Sequence, residues 1–385
     1  MKRIISLLLL SVILFAGCAV QNEEKEETEE ISKISAVWIF YNELSMKDEN
    51  GGNEDSFRKK ISGMLDNCVS WGINTVFLQV RPCADSFCKS EVFPWTHYLT
   101  GEQGKAVEYD PLEICIEEAH KRDLSLHAWI NPFRIAFSDD VSKLSDDHPA
   151  MEWIEKKTSD VVFVNGGIYF SPASLDAQKL VIDGVREIIR NYAVDGIHID
   201  DYFYPSTDAK VDSAFYKKYT EGGGELELSD WRLNMISAFV SQMYNAVKSE
   251  DENCIFSVSP AGNISNNYNE QYADVKLWCS QKGYADWIIP QLYYGFENDS
   301  LPFDTALSEW SEIHTESEIK MIYGIAAYKV NDRDDEWTAG NGIIERQLQI
   351  VRDNGSAYGV AYFSYSSLAD EKRSAEFKNL SAFLS

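Results

Sequence analysis

The chain has 385 residues, 44% of them hydrophobic, enough for a sizeable core and for one barrel-sized domain or two smaller ones. Its formal net charge is -27 and no basic patch interrupts the acidic surplus, so nucleic acid and other polyanions are poor partners. The seven cysteines show no zinc-ligand spacing. Cys68, Cys115 and Cys279 are scattered as apolar filler would be, and Cys83 and Cys88 are the pair close enough in sequence to bridge.

Met1-Lys-Arg, an apolar run from Ile4 to Phe15 and the small pair Ala16-Gly17 read as an export signal over residues 1–17, too short for a stable membrane span. Cys18 directly follows and resembles the lipidated cysteine of a bacterial lipobox, although Phe15 stands where an aliphatic residue is usual. Residues 18–33 are acidic and lack apolar periodicity, which predicts a flexible tether. Loss of Lys2 and Arg3 with the signal takes the net charge to -29. Such a tether is repelled by anionic headgroups, so membrane attachment rests on acyl chains. The folded domain is expected over residues 34–385.

Within it, Ala36–Tyr41 is a continuous apolar run, the pattern of a strand covered on both faces. A helix follows over about Phe57 to Ser70, then a strand at Thr75–Val80. Asp110, Pro111 and Glu113 announce a helix start with a capping box. Ser125–Ile130 is the third strand, and Ser174 caps a helix whose Leu180, Val181, Val185, Ile188, Ile189 and Tyr192 share one face. The fourth strand is Asp195-Gly-Ile-His-Ile-Asp200. Ser229 caps the next helix, over about Trp231 to Lys248. Ile255–Ser259 and Trp287–Tyr293 are strands five and six, with Pro290 counting against a long central ladder. Lys320–Ile325 and Gly359–Tyr365 are strands seven and eight, separated by a helix near Ile343 to Arg352 and followed by a last helix to Leu384.

Eight strand–helix pairs predict a (β/α)8 TIM barrel. The loops agree, since helix-to-strand links such as Trp71 to Asn74 and Tyr192 to Asp195 are short. Strand-to-helix links at 81–109, 131–173 and 202–230 are long and should gather at the C-terminal mouth. The second of them holds Val161–Phe170 around Asn165-Gly166, an accessory β-hairpin signal.

Candidate chemistry lies at the strand ends. In the fourth strand the two-residue alternation puts His198 and Asp200 on one face and Asp201 on the other. Asp200 is the first catalytic carboxylate; Asp201, Asp85, Glu297 and Asp332 are candidate partners, since glycoside cleavage needs two carboxyl groups across the bond. Arg81, His127, Asn131, Arg134, His198, Tyr202, Gln291 and Tyr293 are candidate sugar-binding residues, with Trp95, Tyr98, Tyr204 and Tyr294 further stacking candidates. No strand-one His-x-His, nucleophile elbow or nucleotide-binding glycine motif is present, and no cofactor is indicated. Hydrolysis through a divalent metal on Asp200 and Asp201 is a separate reading.

The segments Gln79-Val-Arg-Pro82 with Asp85, Pro94-Trp95, Leu99-Thr-Gly101, His127–Arg134, Asp195–Pro205, Ser257-Val-Ser-Pro260 and Pro290-Gln-Leu-Tyr293 together resemble the glycosyl hydrolase-like family 10 proteins. The resemblance implies a barrel-fold bacterial envelope lipoprotein or secreted protein that cleaves glycan, with peptidoglycan strands stripped of their peptides as a substrate class. Asp195–Asp200 is also similar to the strand-four motif of the alpha-amylase-type barrels, where the final Asp is the nucleophile and an Arg occupies the position of His198. Strand five carries no carboxylate here, so that family's acid does not transfer. The reading is an extracytoplasmic, lipid-anchored glycoside hydrolase. Its alternative is a non-catalytic glycan-binding surface lipoprotein.

Overall fold

The computed structural model describes residues 34–332 and 335–377. The export signal, Cys18, the tether and the end of the expected last helix lie outside the described residues. Eleven strands are formed: β1 (Ile34–Ile39), β2 (Thr75–Arg81), β3 (Ser125–Ile130), β4 (Arg134–Ala136), β5 (Val161–Val164), β6 (Gly167–Phe170), β7 (Gly196–Ile199), β8 (Ile255–Val258), β9 (Trp287–Ile288), β10 (Lys320–Ile325) and β11 (Gly359–Phe363). Eight of them, all but β4 to β6, close into a parallel barrel in chain order, with β1 pairing both β2 and β11. The sequence-based barrel is therefore the observed fold.

The helices between the strands start where local chemistry tells them to. Asn53 accepts from Ser56 N–H at 2.9 Å and the Ser56 hydroxyl returns the contact, opening Glu54–Ser70. Asp110 accepts from the N–H groups of Leu112 and Glu113, with Pro111 at the first position of Pro111–His120. This cap is one-sided: Glu113 completes no box. Ser174 caps Leu175–Asn191 through the Ala177 N–H. Leu228–Glu250 begins a turn earlier than expected, after Glu227 and without a side-chain cap, so Ser229 lies inside the helix. Residues 365–377 also differ from the expected last helix, because Tyr365–Leu368 is one short helix followed by turns.

Two departures bear on the mouth. Strand β9 stops at Ile288 because Pro290 has no N–H to continue the ladder; Gln291 then re-engages singly, bridging Ala261 and Gly324. The expected hairpin is present as β5 and β6, its Asn165-Gly166 turn in the left-handed region at φ 52° and 74°. It gains a third strand, β4, which pairs with β6 and carries Arg134 to the mouth.

The larger core fills the space between barrel and helices. Inside the barrel a separate cluster of Trp38, Phe77, Trp129, Trp287, Ile289 and Ile322 combines four large rings with two branched aliphatic side chains. Gly196 makes room there: a Cβ at that position would meet His127 Nδ1 at 2.4 Å. All six cysteines from Cys68 onward are buried free thiols, so Cys83 and Cys88 are not bridged.

Candidate active site

Strand β7 ends at Ile199, so the alternation that separates Asp200 from Asp201 does not extend to them. Both carboxylates line one cavity of about 400 Å³ at the C-terminal mouth, together with Arg134, Tyr202, Gln291 and Tyr293. Its walls are otherwise largely aromatic, from Trp38, Phe40, Tyr41, Trp129, Tyr328 and Phe363. The expectation that a single aspartate of the pair faces inward is thus corrected.

Asp200 is 3% exposed and each of its oxygens lies 2.6 Å from Asn131 Nδ2. Asn131 is held in turn: its Oδ1 accepts from Gln79 Nε2, and Gln79 Oε1 accepts from the Tyr41 N–H at 3.2 Å. This relay runs from Tyr41, just after β1, to Asp200, just after β7, and fixes which way the Asn131 amide faces. Burial raises the Asp200 pKa, the neighbouring Asp201 charge raises it further, and Arg134 with Asn131 pull against them. Burial likewise raises Asp201, opposed by hydrogen bonds from backbone and Gln291 and by Arg134. Two adjacent acids that share one cavity, each raised by burial, do not both ionise readily near neutrality, so the pair can hold one proton and one charge. Arg134 lies against the Tyr202 and Phe137 rings at 4.4 and 4.6 Å. Burial works against its charge, Asp200 favours it, and the net shift is upward.

The remaining candidates sit elsewhere. The register of β2 against β3 shifts between Gln79 and Arg81, and the extra residue turns Arg81 out of the barrel. Its guanidinium lies 4.5 Å over the Phe93 ring, beside Gly184 of the Leu175–Asn191 helix, with both terminal nitrogens lacking a hydrogen-bond partner. His198 and His127 do face inward, but below the cavity. His198 Nε2 accepts from the Trp38 indole at 3.0 Å. An indole N–H can only donate, so the imidazole proton is on Nδ1, which donates to Ser257 Oγ at 2.8 Å. Burial, then His127, pushes its pKa well down and keeps the ring neutral. His127 stacks on Trp287 at 4.9 Å with neither ring nitrogen bonded, and burial lowers its pKa to about 4. Neither histidine lines the cavity.

Glu297 is exposed and lines a separate surface pocket with Asp332 and Glu336. Asp85 is fully buried beside a larger cavity of about 730 Å³, which shares Phe137 with the first. Tyr98 lines that larger cavity too; Trp95 and Tyr294 pack on the core, and Tyr204 is buried, donating its hydroxyl to Asp212. Among the described residues, no group of three or more His, Cys, Asp and Glu side chains is placed to share a metal ion. Trp38 and Trp129 went unnoticed in sequence as cavity walls. Trp129 had a signal, since it shares the parity of His127 and Asn131.

Residues 33–339 match the model of a family described as Glycosyl hydrolase-like 10. The chain is 32% identical over 358 residues to a protein of Bacillus subtilis named glycosyl hydrolase YngK, covering 87% of this chain and 69% of that one. It is 30% identical over 312 residues to glycosyl hydrolase DigH of Escherichia coli, covering 74% and 70%. Among solved structures it is similar to the PgaB (BpsB) glycoside hydrolase domain of Bordetella bronchiseptica, with a TM-score of 0.62 at 11% identity over 91% of this chain and 98% of that one. It is also similar to alpha-L-fucosidase isoenzyme 2 of Paenibacillus thiaminolyticus, with a TM-score of 0.57 at 14% identity over 91% and 48%. At these identities the structural likeness concerns the barrel.

Proposed function

Since the chain belongs to the glycosyl hydrolase-like 10 family, we propose that it is a glycoside hydrolase working outside the cytoplasm, on peptidoglycan strands stripped of their peptides. The observation that carries the reading is the pair of neighbouring carboxylates, buried Asp200 and half-buried Asp201, sharing one aromatic cavity with Arg134 and Gln291. Sugar rings offer hydroxyls to the polar groups and C–H faces to the aromatic rings, and bond cleavage needs an acid and a base.

Asp200 takes the charged role. Burial and the Asp201 charge raise its pKa, and donation from Asn131 with the charge of Arg134 supports the ionised form against them, in which it acts as nucleophile, base or charge stabiliser at the anomeric carbon. Asp201, whose own pKa is also raised by burial, is proposed to deliver the proton that the pair shares to the leaving oxygen. Anchoring through lipidated Cys18, with residues 18–33 as tether, is the corresponding proposal for location.

Glycan binding without turnover is a second reading, favoured by one observation. Among the described residues, the two carboxylates lining the cavity are sequence neighbours; Asp85, Glu297 and Asp332 line other cavities. Incubation of the full chain and its Asp200→Asn variant with peptide-free peptidoglycan and a polysaccharide panel, read by mass spectrometry, separates the two. Products from the unaltered protein alone are expected. Equal products from both would sink the role of Asp200, and binding without products from either would establish the second reading. Acid–base chemistry on this pair also predicts turnover that survives EDTA, whereas a divalent-metal reaction at Asp200 and Asp201 predicts its loss.

A further inference from the structure

The larger cavity, walled by the loops that follow β2 and β3, is not used by the chemistry above. At about 730 Å³ it falls within the range of roughly 300–1,000 Å³ typical of ligand sites. Asp85 lines it and is fully buried. Its Oδ2 accepts from Gln103 Nε2 at 3.3 Å and lies 3.7 Å from His97 Nδ1 on the same wall, and its Oδ1 has no hydrogen-bond partner. The Ser145 hydroxyl on the same wall is also buried and unpaired. Neither atom is exposed to solvent, so a ligand reaches them only when the Asp85 or Ser145 side chain turns into the cavity; a carboxylate turned that way accepts hydroxyl or amide donors.

Two further features narrow the class. Phe137 and Tyr98 supply aromatic surface, and Tyr41 contacts both, at 5.6 and 4.4 Å between ring centroids, forming a ridge between the two cavities. Aromatic faces carry partial negative charge and suit the C–H edges of a sugar ring. Asp85, Glu102, Asp146 and Asp147 outnumber Lys105 and Lys143 on the lining, which disfavours an anionic group.

We propose that this cavity is a second sugar-binding subsite, taking an uncharged sugar unit of the same glycan whose neighbouring segment lies over Asp200. The proposal rests on the glycosidase reading for the identity of the glycan. It gives Asp85 a binding role in place of the catalytic one expected from sequence. A chain engaged in both cavities gains affinity that a short fragment cannot, because the second contact is intramolecular once the first is made.

The test is calorimetric titration of the full chain carrying Asp200→Asn with two uncharged probes, chitobiose and chitohexaose. The hexamer is expected to bind about tenfold more tightly than the dimer. Added Asp85→Asn, which is isosteric, or Phe137→Ala, which truncates a ring 47% exposed, should each remove most of that difference while thermal melting reports an intact fold. Hexamer affinity untouched by both substitutions, or no hexamer binding at millimolar concentration, overturns the subsite. The two readings fail separately. If the unaltered protein turns over no glycan while Asp85→Asn still weakens the hexamer, the subsite stands and the hydrolase does not. If turnover occurs with a KM for long strands unmoved by Asp85→Asn, the hydrolase stands and the subsite falls.

Discussion

Asn131 shows how a single amide biases the charge of Asp200, the carboxylate proposed to work ionised. It donates to Asp200 and so favours the charged form, against burial and the neighbouring Asp201. Asn131→Ala removes that donor and lets the Asp200 pKa climb further, so the acid limb of the rate profile should move to higher pH. The turnover number should fall by about tenfold to a hundredfold, equivalent to ~1.4–2.7 kcal/mol of transition-state stabilisation. A pH series of kcat checks both; an unmoved acid limb would mean that Asn131 merely packs. The residues of this site were unevenly legible in sequence, for a definable reason. Strand parity gives the face of a residue but not its depth. His127, His198 and Asn131 all face the barrel interior, yet the histidines are in its core and Asn131 reaches the mouth. Asp201 was misassigned to the opposite face because parity was carried two residues past the end of the ladder.

At the level of elements, the barrel interior carries an acid-sensitive load. His127 is neutral in the fold, with its pKa lowered from 6.5 to about 4 by burial. The unfolded chain therefore binds a proton that the folded one refuses as pH falls below about 6.5, and stability declines until about pH 4, where both forms are protonated. The loss from this one ring is on the order of 3 kcal/mol. His127→Leu should flatten that part of the melting-temperature profile; a slope equal to that of the unaltered protein would assign acid sensitivity to other groups. The β2 bulge is the second element-scale feature. It converts Arg81 from an apparent ligand-binding cation into a buried guanidinium against Phe93, and no sequence pattern announced the extra residue. A buried charge without hydrogen-bond partners contributes little to stability and much desolvation cost. Arg81→Met should thus melt no lower than the parent and keep KM within about twofold. A large rise in KM would restore Arg81 to the sugar site.

For the whole molecule, the barrel was legible because eight alternations and the asymmetry of loop lengths are properties of the entire chain and tolerate local error. Strand β9 shrank to two residues at Pro290 without changing the topology, and three-residue β4 is too short to leave a periodic trace. Net charge is another property of the whole chain, and at -27 it acts on the substrate before any contact forms. Peptide-free peptidoglycan carries a carboxylate on its lactyl-bearing sugars, so an acidic protein repels it at long range. Raising ionic strength from about 0.01 to 0.15 M shortens the screening length from roughly 30 to 8 Å and weakens that repulsion. On the proposed substrate, kcat/KM should rise by about threefold or more across this range, as expected for charge-controlled encounter. An uncharged oligosaccharide such as chitohexaose should bind with nearly constant affinity over the same salt series. If both respond alike, salt is acting on the protein rather than on the encounter. If the anionic strand reacts more slowly as salt rises, a local cation such as Arg134 outweighs the global charge, and recognition of the substrate carboxylate would be assigned to the catalytic cavity.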